Sequence, residues 1–183
     1  MKRTVIILLM IFCSIRIIAQ ESNFTFSGGY VFANLDDVDQ KATGFRINGL
    51  YEFNPTEGMI AHGISMGYLR TTASNTFNSQ TANYTLSNFP VYYAPKFMFG
   101  SKSFKLFLKG AVGFHYSGYK RTGDLTSVDT WDFGFYGGAG GGVMKTINDR
   151  IFINAEYEWA YLANASYRDG FVNTIMGGIG FKF

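Results

Sequence analysis

Cysteine is nearly absent from the chain: Cys13 is the only one, and it sits in an N-terminal stretch that reads as a removable leader. Without that stretch no thiol is left, which excludes disulfides and thiolate-bound metals together. Phe12, just before Cys13, is bulky where lipoprotein processing needs a small residue, so no lipid anchor is expected there. Excess charge is missing too. The formal net charge of +3 rests on Lys2, Arg3 and Arg16; without these the 16 basic residues become 13, against 13 acidic ones. No basic patch then argues for nucleic acid. Proline is scarce, at 3 residues, and beyond the N-terminus no segment carries the i, i+3, i+4 apolar spacing of a helix. The glycine-rich run Gly137 to Gly142 has no helix behind it to supply an anion site and reads as close backbone packing. The aspartates of "LDDVDQK" lack calcium-loop spacing, so neither cofactor nor metal is expected.

What the chain does contain is 19 Phe, 12 Tyr and 22 Gly, a composition that favours strands. At its start, Lys2 and Arg3 precede the apolar run Val5 to Phe12, and the segment closes on Ile17-Ile18-Ala19-Gln20. Charge, apolar run and small residue in that order predict a secretory signal peptide over residues 1–19. The run falls short of the about 20 residues a spanning helix needs. Residues 20–183 are left as one domain.

Eight segments of that domain alternate large apolar residues with small or charged ones, the period of a strand. Phe24, Phe26, Tyr30 and Phe32 share a face of the first, Phe45, Ile47, Tyr51 and Phe53 of the second, and Ile60, Ile64, Met66 and Tyr68 of the third. The fourth carries Phe89, Val91, Tyr93, Phe97 and Phe99, with Pro90 and Pro95 predicting a bulge or edge irregularity. In the fifth the bulky face is Phe104, Leu106, Leu108, Val112, Phe114 and Tyr116; in the sixth, Trp131, Phe133, Phe135 and Val143. Ile151, Ile153, Tyr157, Trp159 and Tyr161 mark the seventh, and Ile175, Ile179, Phe181 and Phe183 the eighth. Connections after the second, fourth and sixth are short turns. Those after the first, third, fifth and seventh are longer and polar.

A soluble sandwich turns its bulky face inward. Here the opposite faces hold mostly Gly, Ala and Ser plus charges, which suits a narrow lumen, so the bulky faces are expected to meet lipid. A closed sheet is obligatory in lipid, and alternating short and long connections fit tight periplasmic turns and longer outside loops. Tyr51, Tyr68, Trp131, Trp159 and Tyr161 fit interfacial girdles. The expected fold is all-β, an eight-stranded antiparallel up-and-down transmembrane β-barrel.

The signal peptide, the eight alternating strands and the terminal "GIGFKF" resemble the small outer-membrane β-barrel families of the OmpA-transmembrane, OmpX and Ail type, over Phe24 to Phe183. The Ala19-Gln20 junction is similar to signal peptides of Bacteroidetes. The resemblance implies a place in the outer membrane of a Gram-negative cell, among outer-membrane lipids. It also implies that the barrel-assembly machinery reads the last strand, here Ile175, Ile179, Phe181 and Phe183. It carries no ligand site.

By parity the lumen receives Arg46, Lys96, Lys105, Lys109 and Lys182 against Glu52, Asp132, Glu156 and Glu158. Near-balanced charges in a space filled by side chains should pair, because an unpaired buried charge is costly. The candidate network is Arg46, Glu52, Lys105, Lys109, Glu156 and Glu158, with Lys105 and Lys109 supplying cations to the two neighbouring glutamates. A structural or surface-interaction protein with a plugged lumen is expected, and a narrow porin-like channel is the alternative. "FHYSGY" places His115 and Ser117 two apart with Asp129 and Asp132 downstream, loosely similar to outer-membrane lipid A deacylases. However, Gly118 and Tyr119 stand where that family has Asn-Ala, and no enzyme is expected. His62, on the outer face, reads as an interfacial side chain. The polar outside loops could touch an unknown extracellular partner.

Overall fold

The structure, a computed structural model, describes residues 22–35, 40–53, 60–77, 80–123 and 127–183. The expected signal peptide at 1–19, the acidic loop at 36–39 and the turn at 54–58 lie outside the described residues. Strand follows strand without a helix among them: β1 (Ser22–Leu35), β2 (Lys41–Phe53), β3 (Ile60–Phe77), β4 (Gln80–Tyr93), β5 (Lys96–Gly100), β6 (Phe104–Gly123), β7 (Ser127–Thr146), β8 (Ile151–Leu162) and β9 (Tyr167–Lys182). Every neighbour is antiparallel, β1 joins β9, and β2 joins β3, so the sheet closes.

β4 and β5 are two halves of one stave. Both pair with β3 on one side and β6 on the other, and the register is the same above and below the break at Ala94 and Pro95. The barrel therefore has eight staves, as the alternation predicts. Of the bulge or irregularity expected at Pro90 and Pro95, the structure forms the irregularity, a break at Ala94 and Pro95 with a gap in the β3–β4 ladder, without a shift of register. A proline lacks only its N–H, so each removes a ladder bond without displacing the chain. The β3–β4 ladder skips the level of Pro90, while Ala94 N still donates to Gly63 O at 2.8 Å and Gly110 N to Pro95 O at 2.9 Å.

One row of paired residues, followed round the barrel from Phe171 through Tyr161, Gly137, Val112, Tyr93, Ile64, Tyr51 and Phe24, returns to β9 at Phe181, 10 residues along. Eight staves with that stagger tilt by about 40° and enclose a backbone cylinder of about 8 Å radius. Such a cylinder has room for side chains and little else.

The bulky faces point out. Leu108, Phe133 and Met66 are 60%, 59% and 64% exposed, whereas Arg46 and Glu158 are at 0%. A continuous apolar belt around a protein far exceeds the few hundred Å² that a soluble monomer shows, and in a closed barrel it is the lipid-facing surface. The inner face is less uniformly small than its glycines imply. Tyr92, Tyr136, Phe107, Phe152, Leu50, Leu69 and Leu86 also point inward and are buried. Large rings and bare glycines alternate around the wall, which is how a narrow barrel fills its interior without voids.

Segments expected as polar loops continue as strands: β3 to Phe77, β4 from Gln80, β6 to Gly123, β7 from Ser127 and β9 from Tyr167. Above the membrane both faces are wet, so polar residues occupy both and hide the period. The Thr and Tyr content still favours strand, and cross-strand bonds hold it: Ser74 Oγ donates to Asn83 Oδ1 at 2.8 Å, and the Thr76 and Thr81 hydroxyls meet at 3.1 Å. The paired residues of β2 and β3 end at Thr72, and those of β7 and β8 begin at Tyr136. The upper parts of β3, β4, β6 and β7 therefore stand beyond the barrel as a four-stranded extension. Nitroxides at Ile153 and Ile175 in lipid vesicles should be relaxed by oxygen, and those at Ser74 and Thr122 by a water-soluble nickel complex. Lipid shielding at Ser74 would contradict the extension.

Candidate functional site

Six ionised side chains enter the lumen, and none is more than 7% exposed: Arg46, Lys96 and Lys109 face Glu52, Glu156 and Glu158. Strand parity aims each of them inward, and closure removes each from bulk water. Arg46 Nη1 lies 2.6 Å from Glu158 Oε1, and its Nη2 donates to the Tyr92 hydroxyl at 2.9 Å. Lys109 Nζ lies 2.5 Å from Glu158 Oε2 and also pairs with Glu156. The Tyr136 hydroxyl donates to Glu158 Oε1. Glu158 is thus the hub, with Arg46 and Tyr136 on one oxygen and Lys109 on the other. The Tyr92 and Tyr136 rings stack at 4.8 Å, and the guanidinium carbon lies 5.8 Å from each centroid. Lys96 makes a separate pair with Glu52 at 2.7 Å, its ammonium 4.7 Å from the Phe107 ring.

Lys109 and Glu158 are not on adjacent staves; Gly140 of β7 stands between them in the same row, as Gly142 stands between Phe107 and Glu156. Two staves are about 9.6 Å apart, a gap that lysine and glutamate span only if nothing projects between them. A Cβ on Gly140 would lie 2.7 Å from Tyr157 O, and one on Gly142 2.2 Å from Ala155 O. The glycine-rich run is close backbone packing, and it is also the gap through which the charges meet.

Of the predicted network, Arg46, Lys109, Glu156 and Glu158 come together, and Glu52 pairs apart from them with Lys96. Lys105 is set by its register level with Met144 and Asn154, half-buried at the barrel mouth, and Lys109 reaches both carboxylates. Asp132 is exposed rather than lumenal and accepts from Phe133 N at 2.7 Å. The phenols of Tyr92 and Tyr136 complete the hub. The signal for Tyr92 was parity alone, since it falls between outward Val91 and Tyr93.

The ion layer lies between two apolar ones. Ala61, Met98, Phe107, Met144 and Phe152 pack on the side of the short turns, and Val31, Leu35, Leu69, Leu86, Leu162 and Val172 belong to the larger cluster on the other. His115 is buried in the upper part, with Nε2 2.8 Å from Ala163 O rather than on Ser117, and Nδ1 without a protein partner. His62 lies on the outer face, stacked between Phe53 and Tyr93 at 6.0 Å from each. In the last strand Ile179, Phe181 and Phe183 are exposed outward, and Phe181 sits opposite Phe24 and Ile151.

A closed barrel of eight staves with a lipid-facing belt and a side-chain-filled lumen is an integral outer-membrane protein. Residues 5–183 match the outer membrane protein beta-barrel domain, and the chain belongs to that family. Among solved structures it is similar to Ail, the attachment invasion locus protein of Yersinia pestis, at 20% identity and a TM-score of 0.56, over 90% of this chain and 100% of that one. Neisserial surface protein A is similar at 14% identity and a TM-score of 0.61, over 88% and 97% of the two chains. The N-terminal β-barrel domain of Pseudomonas aeruginosa OprF is similar at 11% identity and a TM-score of 0.53, over 90% and 98%. At these identities the likeness is one of fold. Comparison with curated proteins gives no match. The protein lies in the cell outer membrane, with its short turns toward the periplasm.

Glu158→Gln leaves two buried cations without their shared carboxylate and should cost about 3–5 kcal/mol. Urea unfolding from lipid vesicles measures it, and a loss within error of zero would refute the hub. Gly140→Val, which blocks the row between Lys109 and Glu158, should also destabilise, and an unchanged midpoint would show that the gap is unnecessary.

Proposed function

We propose that this barrel is a structural, surface-interaction protein whose lumen is shut and whose contacts are made outside the cell. The observation that carries the reading is the layering of the lumen. Ion pairs cross it between two clusters of packed, mostly apolar side chains, so a solute would have to break buried pairs and then part those side chains. The alternative, a narrow channel for small solutes or ions, requires those layers to part.

The four-stranded extension offers the contact surface. In β7, Phe135 O accepts from Ala163 N at 3.0 Å and Phe133 O from Asn164 Nδ2 at 3.2 Å, so odd-numbered residues direct their backbone groups toward β8. Above them the same parity turns the backbone of Asp129 and Trp131 to an edge that β8 does not reach. An unpaired strand edge of this kind accepts an added strand. To the same reading belong the signal peptide at residues 1–19 and recognition of Ile179, Phe181 and Phe183 by the barrel-assembly machinery, both consistent with export to the outer membrane.

In planar bilayers the purified protein should give no steady single-channel current, and a large one would reject the shut lumen. A photoreactive residue at Asp129 on intact cells should form a covalent adduct with another protein, while one at Lys145, on the lipid face near the periplasm, should not. Equal yields at both positions would count against the edge.

A further inference from the structure

The periplasmic mouth breaks the charge balance kept inside. A concavity of about 1440 Å³ opens there, and Lys102, Lys105, Arg150 and Lys182 line it from three separate segments of chain. Asp149 is the acidic side chain among its described lining residues. In the lumen, three cations meet three carboxylates; among the described residues lining the mouth, positive charge is in excess.

The cations are set in a built rim rather than scattered on a surface. Lys182 Nζ lies 3.4 Å from Thr146 Oγ1, and that hydroxyl donates to Lys102 O at 3.2 Å, a chain that ties the last stave to the β5–β6 turn across β7. The turn itself is fixed by Ser101, whose Oγ accepts from Phe104 N at 3.1 Å. The floor is apolar: Met98 lines the mouth, and behind it pack Phe107, Met144 and Phe152. A concavity rimmed by one sign of charge over a low-dielectric floor focuses its field on whatever enters. Because the cations converge on a concavity from three segments instead of running along a stripe, they fit a compact ligand better than an extended chain.

We propose that this mouth binds a compact multivalent anion bearing phosphate, from the periplasmic side. The probe is inorganic pyrophosphate, titrated calorimetrically into the full-length barrel folded in phosphatidylcholine nanodiscs at low salt. One-to-one saturable binding is expected. It should weaken at least tenfold in the triple variant Lys102→Gln, Arg150→Gln, Lys182→Gln, and persist in Lys145→Gln, which removes a cation from the outer face close by. Compact migration before boiling verifies that each variant is folded. If the triple variant fails to fold, Lys182→Gln and Arg150→Gln alone should each weaken binding.

Repeating the titration with phosphatidylglycerol in the disc separates the sources of phosphate. Unchanged affinity assigns the mouth to a soluble anion, and weakened affinity to a competing lipid headgroup, the same chemistry in either case. No saturable heat, or an equal loss in Lys145→Gln, would overturn the proposal. Neither result bears on the shut lumen, which stands or falls on conductance.

Discussion

A carboxylate taken out of water must find cations or lose its charge, and in this barrel that requirement organises the interior. Glu158 is fully buried, and its two oxygens are met by Arg46, Tyr136 and Lys109 from three other staves. Those partners lie far apart in sequence: Arg46 and Glu158 are 112 residues apart, and they meet only when the sheet has closed. The hub therefore depends on closure. It also helps specify closure, since a slipped register would turn Arg46 or Glu158 toward lipid.

From that constraint the rest follows in order. Pairing across two staves requires an empty row between them, and the glycines of β7 provide it. Large rings on β4 and β7 then occupy the space around the guanidinium, and clusters of mostly apolar side chains pack on either side of the pairs. On the proposed reading, exclusion of water strengthens the pairs and shuts the lumen, so the feature that stabilises the interior also denies it a transport role. What remains free to interact is outside: the extension beyond the outer leaflet and the charged mouth facing the periplasm.

Much of this was legible in the sequence, because period-two alternation in a lipid-facing barrel is close to a direct statement of structure. The strand count, the outward faces and the inward direction of Arg46, Lys96, Lys109, Glu52, Glu156 and Glu158 follow from parity. Parity also explains the misses. It gives direction but not height, so it does not separate Lys109, which reaches both glutamates, from Lys105, which stands level with Met144 and Asn154. It fails where both faces are wet, which hid the upper parts of β3, β4, β6 and β7 behind polar composition. Pro90 and Pro95 suggested a bulge or an irregularity because a missing donor often marks one; here they interrupt the stave while the neighbouring ladder keeps the register. The bridging role of Gly140 was out of reach, since it depends on which residues flank it on two other staves.

The most direct measurement is a double-mutant cycle on Arg46→Met and Glu158→Gln, read as unfolding free energies in lipid vesicles. If the two groups neutralise each other in a dry lumen, the double variant should be more stable than the sum of the single losses implies, with a coupling of about 1–3 kcal/mol. Strictly additive losses would mean that the pair does not interact across the lumen, and the interior would need another explanation.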